Sequence, residues 1–449
     1  MPSEPTLREE LTALLRLSWP ITVAQLGFMA MGLVDTAVLG HVSVTELGGS
    51  AIGRTVLFAA ITPAMGVALG LETLASQAVG AGDHGRAWAS LVATSRAVVV
   101  AGLPLILLGL LVLFLLEPCG VDPAVASKAR AYALTQAPGS LLSLVFLSHK
   151  TFLQARGHTR PALVASGVAN LVNLVVCNVL VRGDDFLVSL GGRPIGLPRL
   201  GAFGAGLAFT IAATVMVVIV VRASRELRPA VAASPLTVRY VARLGMPVGL
   251  QLFTEVAVFA LCTVLAGRFG ASAVSAHQIA LGLASFTFMG AVGFSGGAAV
   301  RVGYAVGEGR SPRRAGLVGL VCGAIFMAGC GVIFGAIPVP LVRLFTEDAD
   351  VIALGVPLVI IAAFFQLFDG LQAVAAGILR GAGDTRYPFA AAVFAYWVIG
   401  FPIAVLLGFP LGYGVRGIWW GLASGLVTVS GLLVARFLQL TRHAIARVA

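Results

Sequence analysis

Residues 14–39 read LLRLSWPITVAQLGFMAMGLVDTAVL, an apolar run in which Arg16 and Asp35 are the charged residues. A helix rises about 1.5 Å per residue, so a run of this length can cross the roughly 30 Å hydrocarbon core of a bilayer. The run is too long for the core of a signal peptide, and the sequence shows no short apolar core followed by a small-residue cleavage site. We therefore expect this segment to be retained as a first transmembrane helix.

The composition extends this interpretation to the whole chain. Of its 449 residues, 58% are hydrophobic and 11% are charged, and the mean hydropathy is +0.98. A soluble domain carries about 25% charged residues, so this chain has too few to cover a water-facing surface. The formal net charge of +11 would suggest nucleic acid for a soluble protein. Here the basic residues lie in short loops without a basic helix, so we expect a lipid bilayer and no nucleic acid as partner.

Short polar segments divide the chain into apolar runs of about 20 to 30 residues, the length of a membrane-spanning helix. These runs predict an all-α integral membrane protein with twelve transmembrane helices. The predicted spans lie near residues 15–40, 50–79, 88–116, 128–153, 161–181, 203–223, 241–266, 275–305, 314–337, 351–379, 388–409 and 416–440.

Basic residues are distributed unevenly between the loops on the two sides of the predicted bundle. With the N-terminus in the cytoplasm, the loops after even-numbered spans are cytoplasmic as well. These loops hold most of the basic residues, among them Arg156, Arg228 and Arg313. Because cytoplasmic loops are enriched in Lys and Arg, the pattern predicts a multi-pass protein of the inner (plasma) membrane with both termini in the cytoplasm.

Two halves of the chain resemble each other. Arg16-Leu17-Ser18-Trp19-Pro20 matches Arg243-Leu244-Gly245-Met246-Pro247, and Ala78-Val79-Gly80 matches Ala305-Val306-Gly307 at the same offset. Each half holds six predicted helices, an even number, so both halves enter the membrane in the same orientation. We expect two six-helix bundles related by a pseudo-two-fold axis along the membrane normal, with a central cleft. A duplication that serves packing alone is the alternative.

The repeat also predicts the domain organisation. We expect an N-terminal lobe of helices 1–6 over residues 1–223, a cytoplasmic linker over 224–240 and a C-terminal lobe of helices 7–12 over 241–449. Two equal lobes around a cleft are suited to alternating access, in which the cleft opens to each side of the membrane in turn.

Four carboxylates fall inside predicted spans, namely Asp35, Glu72, Glu255 and Asp369. A charged residue at a helix centre costs about 2.5–3.5 kcal/mol on the insertion scale, so none of the four is expected to face lipid. Glu255 and Asp369 lie near the middle of spans in the same half. Two neighbouring carboxylates favour a bound sodium ion or proton, so we predict a cation site at Glu255 and Asp369, with Asp35 acting in the other lobe. Hydrogen bonding to polar neighbours is the structural alternative.

Other in-span residues extend this picture. Asn170 and Asn173 lie three apart on one face of the fifth predicted helix, with Asn178 further along it. Together with Glu72 they are candidates for an N-lobe polar site, although asparagine also joins helices in membranes. Pro20 and Pro247 occupy equivalent points of helices 1 and 7, where proline bends a helix and can provide a hinge.

An enzyme is not expected. The six histidines are scattered without an HExxH pattern, and the five cysteines form no CxxC pair. A membrane enzyme would need a cluster of such groups within a span. We expect no catalytic residues and no cofactor apart from a coupling ion, Na⁺ or H⁺.

The sequence resembles the multidrug and toxic compound extrusion (MATE) family over nearly its whole length. The resemblance is carried by Pro20, by Val34-Asp35-Thr36 with Gly40-His41-Val42-Ser43, and by the segment from Gln372 to Arg386. NorM-like members have an acid in helix 1 and a pair in helices 7 and 10, which correspond here to Asp35, Glu255 and Asp369. The chain departs from the family at Cys177, where relatives often carry a polar residue.

The resemblance implies an antiporter that exports bulky amphipathic drugs, often cationic, in exchange for sodium ions or protons. We expect the chain to act as a monomer. A flippase for lipid-linked precursors or oligosaccharides is the alternative within the same superfamily, and it would favour an arginine-rich cleft. A passive channel would need neither buried acids nor a duplicated fold.

Overall fold

The structure is a computed structural model that describes residues 5–189, 191–231 and 233–448. Over these residues the chain forms helices and loops without a strand, which confirms the all-α prediction. Twelve long helical segments in this described part coincide with the twelve predicted spans. They are α1, Leu7–Gly40; α2, Val44–Gly80; α3, His84–Leu115; α4, Pro123–Ala155; α5, Arg160–Arg182; α6, Gly201–Glu226; α7, Val238–Phe269; α8, Ala271–Gly307; α9, Arg313–Ala336; α10, Ala349–Ala382; α11, Arg386–Gly408; and α12, Gly414–Leu440.

Eleven of these segments in the described chain are both long and apolar enough to cross a membrane. The remaining one, α4, has 33 residues and is long enough, but it carries Lys128, Arg130 and Lys150. Lys150 is buried inside the protein, so its charge does not face lipid. Composition alone therefore underestimates the ability of α4 to span the membrane, because this helix packs against neighbouring helices.

Two of the helices are interrupted. In α2, a turn at Gly70 separates Val44–Leu69 from Leu71–Gly80. In α11, the stretch Phe394–Gly400 is a π-helix between two α-helical stretches. A π-helical turn rotates the side chains that follow it relative to an α-helix, and such turns are frequent at functional sites.

Packing contacts divide the chain into two compact units. The C-terminal unit contains the chain up to Thr22, Glu72–Asp83 and the chain from Leu250 onward; the N-terminal unit contains Val23–Leu71 and His84–Gly249. The chain passes from one unit to the other inside α1, inside α2, between α2 and α3, and inside α7. In α1 and α7 the change comes a few residues after Pro20 and Pro247. The units and the lobes predicted from sequence overlap without sharing boundaries, and the lobe boundaries stay a prediction.

Within the C-terminal unit, α8 and α10 cross closely because glycines leave room for the backbone. An added Cβ at Gly377 would lie 2.6 Å from the backbone oxygen of Ser295, and one at Gly381 would lie 2.3 Å from that of Ala299. Small residues four apart on a helix permit this approach in membranes. The crossing fixes the position of α10, which carries Asp369.

Within the N-terminal unit, α4 packs against α6 in the same way. A Cβ at Gly206 would lie 2.4 Å from the backbone oxygen of Tyr132. The hydroxyl of Thr210 donates a hydrogen bond of 2.6 Å to the backbone oxygen of Thr135. These contacts hold α4 so that the Tyr132 side chain reaches α1.

Candidate functional site

Two carboxylates from different helices lie near each other in the C-terminal unit. Glu255 on α7 accepts hydrogen bonds at Oε1 from Gln251 Nε2 at 3.0 Å and from Gln372 Nε2 at 2.7 Å. Asp369 on α10 lies close enough to Glu255 for the two charges to interact. Gln251 precedes Glu255 by one turn, and Gln372 follows Asp369 by three residues, so helix periodicity places each amide beside an acid.

This carboxylate site contains oxygen atoms without donors. The amide Oε1 of Gln251 is buried and has no hydrogen-bond partner. Asp369 makes no hydrogen bond or ion pair with any described residue. Glu255 and Asp369 are both half-buried. An unsatisfied buried acceptor costs about 1–3 kcal/mol, so a group of such oxygens favours a proton or a small hard cation.

Tyr396 was not predicted as a site residue. It lies on the π-helical stretch of α11, is almost fully buried, and is close enough to Glu255 and Asp369 to interact with both charges. A tyrosine inside a predicted span was the available signal in the sequence. The π-helical register that turns its ring toward the acids is not visible in an apolar run.

In the N-terminal unit, hydrogen-bond donors surround the carboxylate of Asp35. Asp35 on α1 is 2% exposed. Its Oδ2 accepts a hydrogen bond of 3.3 Å from the Tyr132 hydroxyl, and its Oδ1 accepts one of 3.3 Å from Asn173 Nδ2. The Cys177 thiol, one turn after Asn173, lies close enough to the carboxylate to interact with it. Cys177 thus lies beside Asp35 in this chain.

The other candidates for the N-lobe polar site lie elsewhere. Asn170 donates at 2.7 Å to the backbone oxygen of Gly27, and so joins α5 to α1. Asn178 is partly exposed and donates at 2.8 Å to the oxygen of Leu174 in its own helix. The structure therefore brings Asn173 to Asp35 and leaves Asn170 and Asn178 in contacts with the backbone.

Glu72 lies apart from Asp35, in the C-terminal unit. Its Oε2 accepts a hydrogen bond of 3.1 Å from Arg380 Nε, and both side chains are buried. Thr73 and Gln77 donate to the backbone oxygens of Arg380 and Gly381 at 2.5 Å and 2.9 Å. Because 308 residues separate the two ionised partners, no sequence pattern could pair them.

A cavity of about 370 Å³ lies within the N-terminal unit. Its walls combine aromatic rings with three charged side chains. These residues are Phe28, Phe58, Phe209, Asp35, Arg54 and Lys150. Lys150 Nζ donates a hydrogen bond to Gln25 Oε1. Arg54 lies ten residues inside α2 and faces this cavity.

Comparison with known proteins decides the family. The MatE family model matches residues 20–179 and matches again at residues 247–406. This chain belongs to the MatE family. The second match begins and ends 227 residues after the first, which is the offset of the sequence motifs, so the internal repeat is confirmed.

Curated relatives of this MatE chain cover nearly all of it. The probable multidrug resistance protein NorM of Rhodopseudomonas palustris is 37% identical, over 98% of this chain and 94% of the relative. The protein of the same name from Deinococcus radiodurans is 37% identical over 96% of each chain. The multidrug resistance protein NorM of Burkholderia vietnamiensis is 34% identical, over 98% of this chain and 96% of that one. The chain is thus a NorM-like membrane transporter and not an enzyme.

Solved structures of the family share the fold. The eukaryotic MATE transporter AtDTX14 matches with a TM-score of 0.87 and 21% identity, over 98% of each chain. The Vibrio cholerae MATE transporter VcmN in its bent form matches with a TM-score of 0.81 and 19% identity, over 97% of this chain and 98% of that one. At these identities the likeness concerns the fold.

Proposed function

We propose that this chain is a secondary active exporter that moves bulky amphipathic compounds, often cationic, out of the cell in exchange for sodium ions or protons. The names of the NorM relatives support drugs as the exported class. The observation that carries the coupling is the carboxylate pair of the C-terminal unit. Glu255 and Asp369 share a site in which a buried amide oxygen, Gln251 Oε1, lacks a donor.

A cation at this site would have a defined energetic role. Without it, ionised Glu255 and Asp369 repel each other inside the membrane, where a buried charge is expensive. A ligand shifts a conformational equilibrium only as far as its affinities for the two states differ. We propose that a cation from outside binds Glu255 and Asp369, favours the state that releases the drug, and is released to the cytoplasm in the other state. Asp35 is the proposed counterpart of this site in the N-terminal unit.

The test replaces each of the two carboxylates with an amide, which removes the charge and keeps the shape of the side chain. Purified protein is reconstituted into liposomes, a sodium gradient or a pH gradient is imposed alone, and ethidium movement is followed by fluorescence. Glu255→Gln and Asp369→Asn should each abolish gradient-driven transport, since an amide cannot take up a proton or balance the charge of a sodium ion. The gradient that drives the wild type identifies the coupling ion.

Glu347→Gln is the matched control, because Glu347 is exposed and lies in the loop before α10. This variant should transport at the wild-type rate. Size-exclusion chromatography shows whether each variant is folded. Wild-type transport rates in both site variants would refute the cation site and leave the acids with a structural role.

A further inference from the structure

A groove on the outer side of the N-terminal unit lies between α3 and α4. It encloses about 460 Å³ and shares none of its lining residues with the cavity that contains Asp35. Its polar side chains are Ser95 and Arg96 from α3 and His149 from α4. Trp88 also lines it and packs edge to face on Phe152 of α4, with ring centroids 5.8 Å apart. The groove is thus a separate feature that the proposed transport does not use.

The face of α3 that carries this groove is suited to contact with lipid. Beyond Arg96, this face continues with four exposed apolar side chains at helical spacing, namely Val100, Leu103, Leu107 and Leu111. The most apolar window of α3 has a mean hydropathy of 3.0, the highest among the eleven apolar helices of the described chain. We therefore expect acyl chains to cover this face.

Arg96 places a positive charge on the same face. Its side chain is exposed and makes no hydrogen bond or ion pair with any residue that the structure describes. Trp88 lies eight residues nearer the start of α3, which corresponds to roughly 12 Å along the helix. Tryptophan side chains mark the level of the lipid headgroups, so Arg96 lies deeper than that level. A charge at this depth is costly unless an anion from the membrane reaches it.

Two further polar groups in the groove lack partners. Ser95 Oγ and His149 Nδ1 are both buried and have no hydrogen-bond partner among the described residues. Buried polar atoms are rarely left in this state. Ser95 adjoins Arg96, and His149 lies across the groove on α4. Oxygens of a phosphate group would accept from the Ser95 hydroxyl and from the Arg96 guanidinium, and from His149 when Nδ1 carries the ring proton.

The charge around the groove selects among phospholipid headgroups. Arg225, in the last turn of α6, is close enough to His149 for the two groups to interact electrostatically. The surroundings of the groove therefore carry two arginines. A headgroup with an amine would bring a third positive charge to this region, whereas a headgroup with a net negative charge complements it.

We propose that the groove between α3 and α4 binds an anionic phospholipid. Its phosphate contacts Arg96 and Ser95, and its acyl chains lie along the exposed apolar residues of α3. This site is distinct from the cation site at Glu255 and Asp369, and it does not depend on the export function.

Native mass spectrometry of the full chain in detergent measures this binding. The delipidated protein is titrated with phosphatidylglycerol, which is anionic, and with phosphatidylcholine of the same acyl chains, which is zwitterionic. The wild type should bind one phosphatidylglycerol more tightly than any phosphatidylcholine. Arg96→Gln should weaken the binding of that phosphatidylglycerol about tenfold, the effect of about one charge-assisted hydrogen bond.

Three variants control the experiment. Arg96→Lys keeps the charge without the planar fork and should retain part of the affinity. Val145→Trp fills the groove from α4 without a change of charge, and it should also weaken phosphatidylglycerol binding, which tests the site even if Arg96→Gln does not fold. Arg416→Gln removes an exposed arginine of α12 that has no partner among the described residues, and it should leave lipid binding unchanged.

Three outcomes would overturn the proposal. The first is equal affinity of the wild type for the two lipids, and the second is wild-type phosphatidylglycerol binding in both Arg96→Gln and Val145→Trp. The third is displacement of the bound lipid by an equal concentration of glycerol 3-phosphate, which would show a site for a soluble phosphate in place of a lipid. Ethidium transport in liposomes tests the export function separately.

Discussion

Three asparagines on α5 have the same side chain and different surroundings. Asn173 is fully buried and donates to Asp35, and its own Oδ1 has no partner. The Asn170 amide donates hydrogen bonds to backbone oxygens. Asn178 is partly exposed and donates to a backbone oxygen of its own helix. At the scale of single residues, the role of each asparagine therefore depends on the residues around its amide, since the side chain is the same at all three positions.

Replacement of these asparagines should therefore have unequal effects. Asn173→Ala removes a hydrogen bond to a buried carboxylate, which is worth about 1.5–3 kcal/mol, and should reduce gradient-driven ethidium efflux about tenfold or more. Asn178→Ala removes an intrahelical contact and should leave efflux within about twofold of the wild type. Equal rates for the two variants in the same liposome assay would argue against a role for Asp35.

Two prolines lie beside two of the four points at which the chain passes between the compact units. In α1 and α7, the change from one unit to the other follows Pro20 and Pro247 within a few residues. Proline removes an intrahelical hydrogen bond and crowds the preceding turn, so a helix bends more easily there. At the scale of the helix, the hinge role of these prolines stays a prediction. The positions of the unit boundaries support this prediction.

Pro20→Ala and Pro247→Ala should each slow transport several-fold, because alanine restores the hydrogen bond and stiffens the helix where the units meet along the chain. Folding should persist, since alanine is a good helix former. Initial rates of ethidium efflux and thermal stability in detergent measure the two effects.

Pro104→Ala is the matched control for this comparison. Pro104 also lies inside a long helix, α3, but that helix belongs entirely to the N-terminal unit. If all three variants lose activity to the same extent, the hinge interpretation is wrong, because removal of any proline from a long helix would then have the same effect.

At the scale of the whole molecule, the orientation in the membrane is a prediction from the loops. Basic residues concentrate in the loops that follow even-numbered helices, such as Arg228 after α6 and Arg310 after α8. Such loops are retained in the cytoplasm. An even number of helices then places both termini on the same side.

A reporter fused to the C-terminus tests this orientation. Green fluorescent protein at that position should fluoresce, whereas alkaline phosphatase should be inactive, because the former folds in the cytoplasm and the latter needs the oxidising periplasm. The same reporters fused within the loop between α9 and α10 should give the opposite result. Active phosphatase at the C-terminus would reverse the proposed topology.

The sequence by itself determined the helical class, the helix positions, the repeat and the family. Each of these depends on local composition or on similarity along the chain, such as the apolar run from Leu14 to Leu39 or the matching prolines Pro20 and Pro247. The sequence also identified Asp35, Glu255 and Asp369 as candidates, because a carboxylate in an apolar span is costly wherever the span packs.

Only the tertiary structure decided which side chains meet. It paired Glu72 with Arg380 across 308 residues, brought Tyr396 to the acids through a π-helical stretch, and turned Arg54 toward a cavity. These outcomes depend on close helix crossings, at which glycines such as Gly381 admit a neighbouring backbone, and on the register of each helix at its crossing. An apolar run fixes that a helix crosses the membrane, but its rotation and its neighbours are set by packing between helices that are distant in sequence.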